Sequence, residues 1–195
     1  MGLISDYKAR ETCATIGDWA LETFGPRSTP QSIAARALVE AAELVQECVT
    51  YDRERSEALA QSIAKECADV YIVLARIAHE ADCNMVEAAR HELVTLRADW
   101  FGSHASLASS ATELLLKLCA TTLPRYATFD LLGMIAGRLQ LLVTKLGQGD
   151  LLEHVDAKME VNRARKWRLN EHGHGQHVEE GDLEVHLTLK GAGML

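Results

Sequence analysis

Glu40, Glu43 and Glu47 recur at intervals of three and four residues, and Glu66 and Asp69 repeat the shorter interval farther along the chain. On a helix, at about 100° per residue, the first three share a narrow arc. That arc borders an apolar stripe containing Ile33, Ala37, Leu38, Ala41, Leu44, Val45 and Cys48. In the second stretch Glu66 falls inside the apolar arc, between Val73 and the group Leu59, Ile63, Val70, Leu74 and Ile77, with Asp69 at its rim. Each of these acids taken singly reads as a solvated position in a Glu-rich protein. Together, with Glu66 facing inward, they ask for a cation, because a carboxylate removed from water needs a partner, a proton or a metal. An all-oxygen set without Cys or His favours a hard ion, Mg²⁺ with Mn²⁺ as substitute.

The ligands expected for that ion are Glu40, Glu43, Glu66 and Asp69. Glu43 and Glu47 are the candidates for the base that takes a proton from an attacking water. A second constellation lies near the C-terminus, where Lys158, Asn162 and Arg165 share one arc of a helix followed by Trp167. Lys supplies a point charge and Arg a fork of donors suited to phosphate oxygens. Asn162 can orient a base or sugar, and Trp167 can approach a nucleobase. The competing reading of this arc is a salt-bridged or solvated face.

The elements that must hold these groups are helical. Three prolines and 5% aromatic residues, with abundant Ala, Leu and Glu, predict an all-α fold. Segments near 4–24, 30–51, 56–81, 85–100, 107–122, 129–146 and 151–169 read as helices, with Thr29 as N-cap and Pro30 as first helical residue of the second. Leu183, Val185, Leu187 and Leu189 alternate with polar residues, predicting a short strand or arm. The division expected is an all-α domain over 1–170 and a tail over 171–195. His172, His174 and His177 in that tail read as part of a flexible segment more readily than as metal ligands.

Glu-x-x-Glu at 40–43 and Glu-x-x-Asp at 66–69, with 22 residues between them, followed by Lys-x-x-x-Asn-x-x-Arg at 158–165, resemble the motifs of the MazG-like all-α nucleoside triphosphate pyrophosphohydrolases. That superfamily also includes dimeric dUTPases and phosphoribosyl-ATP pyrophosphatase. The resemblance implies a MazG-like helical bundle and Mg²⁺-dependent cleavage of a (d)NTP between its α- and β-phosphates, giving monophosphate and pyrophosphate. It also implies a homo-oligomer. The 88 residues between Asp69 and Lys158 exceed the family's usual interval. An internal repeat accounts for them, with halves near 28–100 and 107–169. Shifting the first half by 70 residues pairs Glu43-Leu44 with Glu113-Leu114, and a shift of 68 pairs Asp82 with Asp150 and Ala89 with Ala157. Glu40, Glu47, Glu66 and Asp69 then meet Ser110, Lys117, Met134 and Gly137, while Lys158 and Asn162 meet Arg90 and Val94. The expectation is a fused pseudo-dimer whose first half supplies the acids and whose second supplies the phosphate-binding helix.

A net charge of −8 argues against nucleic acid or an anionic membrane as partner. Five scattered cysteines without a C-x-x-C pair read as reduced thiols of a cytoplasmic protein. A di-iron carboxylate bundle needs Glu-x-x-His pairs, which the chain lacks. A non-catalytic helical regulatory or assembly module fits the amphipathic helices but leaves the inward Glu66 without a reason.

Overall fold

A computed structural model describes residues 7–26, 29–99, 102–120, 123–169 and 175–178. Seven helices follow in order: α1 Cys13–Phe24, α2 Pro30–Glu54, α3 Glu57–Glu80, α4 Met85–Asp99, α5 His104–Ala120, α6 Arg125–Lys145 and α7 Leu151–Ala164. A small antiparallel ribbon pairs β1, Trp167–Leu169, with β2, Gly175–His177. The all-α class holds for the described residues apart from this ribbon.

The helix starts follow from side chains that satisfy otherwise unpaired backbone N–H groups. Thr12 and Thr29 form reciprocal capping boxes with Thr15 and Ser32, and Pro30 takes the first turn of α2 as expected. Ser56 caps α3 and Asp150 caps α7. Asp52, near the end of α2, accepts from the Ala105 N–H at 3.0 Å and from His104 Nδ1 at 2.7 Å, so one carboxylate joins the end of α2 to the start of α5. Gly147 and Gly149 adopt positive φ of 73° and 81° in the turn before α7, a conformation that disfavours any side chain.

Three boundaries differ from the sequence reading by four residues or more. The first helix starts at Cys13, not near residue 4, because residues 7–12 are held in extended form across α7. There the buried Asp156 carboxylate accepts from Tyr7 Oη at 2.6 Å and from the Arg10 and Glu11 N–H groups at 2.9 Å each. Helix α7 ends at Ala164 and not at residue 169, since Trp167–Leu169 leaves the helix to pair with Gly175–His177. Helix α6 starts at Arg125 directly after Pro124, four residues before the apolar periodicity becomes clear at Phe129. The alternating stretch Leu183 to Leu189 lies outside the described residues, as do His172 and His174.

α3 is the central element. It packs against α1, α2, α6 and α7, while α2 also packs on α5, and α4 on α6. One continuous core results, in which Ile63, Ala64, Cys67, Ala68, Leu74 and Ala75 of α3 are fully buried. Close approach of α4 to α6 depends on Gly133, where an added Cβ would lie 2.6 Å from the Ala88 Cβ and 2.8 Å from its carbonyl carbon. By length and hydropathy α6 alone among the described helices is apolar enough to cross a membrane. Its apolar side chains face α3, α4 and α5 inside the bundle. All five cysteines are unbridged, and four are buried.

Candidate metal and phosphate site

The α2–α3 contact places the acids of both helices opposite one another. Glu40, Glu43 and Glu66 each direct a carboxylate oxygen into one cluster, with all three atoms within 4.8 Å of one another. Glu40 is buried at 9% exposure, Glu66 is half-buried and Glu43 faces solvent. The cluster is thus exposed on the Glu43 side and buried on the Glu40 side.

The electrostatics follow from that placement. Burial, then the charges of Asp69, Glu47 and Glu40, push the Glu66 carboxyl up to about 7 against the pull of Lys158. Burial also raises Glu40, despite the neighbouring guanidinium of Arg36, with which it forms an i,i+4 ion pair. Burial raises Asp69 too, although Lys158 donates to it. Three acids are therefore held above the ordinary carboxylate range in one small volume. Oε2 of Glu66 and Oε2 of Glu47 are buried with no hydrogen-bond partner among the described residues. Unsatisfied buried carboxylate oxygens beside other acids suit a divalent cation, so these residues fit the ion that the sequence motif implies.

The expected members divide into groups. Glu40, Glu43 and Glu66 come together as the metal reading requires. Asp69 is adjacent, with its Oδ2 engaged by Lys158 Nζ at 2.5 Å. Glu47 lies one turn beyond Glu43, where Ser62 Oγ donates to its Oε1 at 2.9 Å. On α7, Lys158 reaches the α3 acids directly. Arg165, at the helix C-cap, is exposed and acts on Asp69 through space. Asn162 is buried at 5% exposure with Oδ1 lacking a partner, and its main-chain oxygen accepts from Trp167 Nε1 at 2.8 Å. Trp167 packs edge-on against Trp19 and Phe24, with centroids 5.9 and 5.4 Å away.

Two contributors went unnoticed in the sequence. Arg36 lies four residues before Glu40, so the i,i+4 rule would have found it, whereas Ser62 of α3 donates to Glu47 of α2, a contact between helices that no spacing reveals.

A largely buried arginine joins α4, α5 and α6. Arg138 of α6 donates to Glu92 of α4 at 2.9 Å, to Ser110 of α5 at 3.2 Å and to the Met134 carbonyl at 2.9 Å. Gly137 makes room, since a Cβ there would lie 3.2 Å from Glu92 Cγ. In comparisons with protein families, curated proteins and solved structures, the chain matches none.

Proposed function

We propose that the chain is a divalent-metal-dependent nucleoside triphosphate pyrophosphohydrolase that cleaves a dNTP between the α- and β-phosphates. The observation that carries this reading is the convergence of Glu40, Glu43 and Glu66, an unpartnered oxygen of Glu66 included, beside a lysine delivered by a separate helix. A solvated acidic face has no reason to bury Glu40 or to leave Glu66 Oε2 without a partner.

Glu40, Glu43 and Glu66 hold the ion, Mg²⁺ by ligand type, with Asp69 as a fourth acid within reach of the cluster's field. When bound, such an ion neutralises the triphosphate and lowers the pKa of a coordinated water. The chain's own residues do the rest. Lys158 exchanges Asp69 for a phosphate oxygen, and Arg165 adds a second positive charge to the leaving pyrophosphate. Water oxygen bonds to the α-phosphorus as the bond from that phosphorus to the bridging oxygen breaks. The proton from water passes to Glu47 or Glu43. Glu47 suits the task because Ser62 fixes one oxygen and leaves the other unpaired.

The fused pseudo-dimer belongs to the same proposal. Exchanging α2 with α5, α3 with α6 and α4 with α7 maps the main contacts among these six helices onto one another, α2–α3 onto α5–α6 and α3–α7 onto α6–α4, and leaves α1 on α3 without a counterpart. The α2–α5 and α3–α6 contacts map onto themselves, as contacts across a two-fold axis do. This pattern supports a repeat in which the first half brings acids and the second brings Lys158.

Chromatography of products after incubation with each dNTP, with Mg²⁺ or with EDTA, tests the reading. Monophosphate and pyrophosphate are expected with Mg²⁺ only. Intact substrate throughout, or orthophosphate with a diphosphate, overturns it.

A further inference from the structure

The α3 face that carries Glu66 and Asp69 continues through Val73 to Arg76, at spacings of three, four and three residues. Arg76 is half-buried, its guanidinium 5.4 Å from the centroid of the Phe24 ring. Among the described residues it has no hydrogen bond and no ion pair; Glu80, one turn on, attracts it only at a distance. Burial pulls its pKa below the ordinary arginine value. A chain with 28 acidic residues has no shortage of carboxylates to place there. A desolvated fork of donors with nothing to donate to is costly unless a ligand completes it.

Its surroundings link it to the site. Phe24 meets Trp167, Trp167 Nε1 holds the Asn162 carbonyl, and one turn before Asn162 stands Lys158 on Asp69. Arg76 is about 15 Å of helix beyond Glu66. On the hydrolase reading, a nucleotide with its α-phosphate at the acids would direct its base toward this end of α3. A cavity of about 160 Å³, lined by Arg76, Leu21, Gly25 and Glu80 among others, opens beside the guanidinium.

We infer that Arg76 reads the nucleobase, and that the base it accepts is a 6-oxopurine. This rests on the hydrolase reading above, which places the phosphates at the acids. Arginine has donors only, and its fork matches two adjacent acceptors such as O6 and N7 of guanine. Adenine offers a donor at the 6-position, cytosine a donor at N4, and thymine one acceptor beside a methyl group. Leu21 and Pro26 supply apolar surface in the cavity for the base plane.

The test is kcat/KM with Mg²⁺ for dGTP, dITP, dATP, dCTP and dTTP, in the wild type, Arg76→Met and Arg76→Lys, with melting midpoints for all three proteins. Hypoxanthine keeps O6 and N7, so dGTP and dITP should both exceed dATP by about tenfold or more in the wild type. Arg76→Met keeps the apolar stem over Phe24. It should lose that preference, the loss on dGTP and dITP exceeding the loss on dATP by about tenfold, and Arg76→Lys should restore only part. Equal loss on every substrate would make Arg76 a phosphate ligand and overturn the inference. So would a wild type indifferent to the 6-position, a result that stands even where a variant fails to fold. Absence of turnover with any substrate would instead remove the hydrolase reading, and this inference with it.

Discussion

At Glu66 the fold places a carboxylate where ionisation is opposed by burial and by three neighbouring acids, so without metal the side chain works against folding at neutral pH. Its folded pKa of about 7 lies above the ordinary value of 4.5. A raised acid contributes stability that is fully present below the unfolded pKa and lost as pH rises through the folded one. Glu40 and Asp69 are shifted in the same direction. Asp52 and Asp156, held below the ordinary range by the hydrogen bonds they accept, act only at lower pH. In EDTA the melting midpoint should therefore fall between about pH 5 and about pH 7.5, and saturating Mg²⁺ should remove that fall. Glu66→Gln removes the buried charge. At pH 8 in EDTA it should stabilise the protein by on the order of 2 kcal/mol, roughly 4–8 °C in midpoint, while abolishing both the response to Mg²⁺ and turnover. A midpoint in EDTA that is flat or rising across this range, or a Gln variant that still turns over substrate, would contradict the assignment.

Between elements, the informative feature is the ion pair that joins α6 to α4. Arg138 and Glu92 are both mostly shielded from water, at 13% and 18% side-chain exposure. Removing one partner leaves the other charge buried and unpaired. Arg138→Met should therefore cost on the order of 3 kcal/mol. Arg125→Met, which breaks the exposed pair with Asp82, should change stability by no more than about 0.5 kcal/mol. Chemical denaturation of the two variants measures the contrast, and equal effects would mean that Arg138 carries no special electrostatic weight. The sequence disclosed the helices at this level well, because apolar periodicity and the signal Thr29-Pro30 are local. It failed at the start of α1 and the end of α7. There the outcome is decided by Asp156 on Tyr7, Arg10 and Glu11, and by the pairing of Trp167–Leu169 with Gly175–His177. Both are contacts between residues distant in sequence or absent from any local pattern.

For the molecule as a whole, the candidate site is a product of assembly: α2 and α3 bring acids from one half and α7 brings Lys158 from the other, with 88 residues of chain between Asp69 and Lys158. The inward position of Glu66 was legible because one helical wheel contains it. The pairing of Lys158 with Asp69 was not, since nothing in the spacing says which helices become neighbours. The same is true of Arg76, whose lack of an ion pair among the described residues becomes visible only once the surrounding helices have a position.

The account rests on a divalent ion among Glu40, Glu43 and Glu66, and crystals soaked in Mn²⁺ and measured at the manganese absorption edge test it directly. An anomalous peak bounded by those three carboxylates, and missing from crystals of Glu66→Gln, is the predicted result. No peak there at saturating Mn²⁺, with the wild-type acids turned out to solvent, would contradict it.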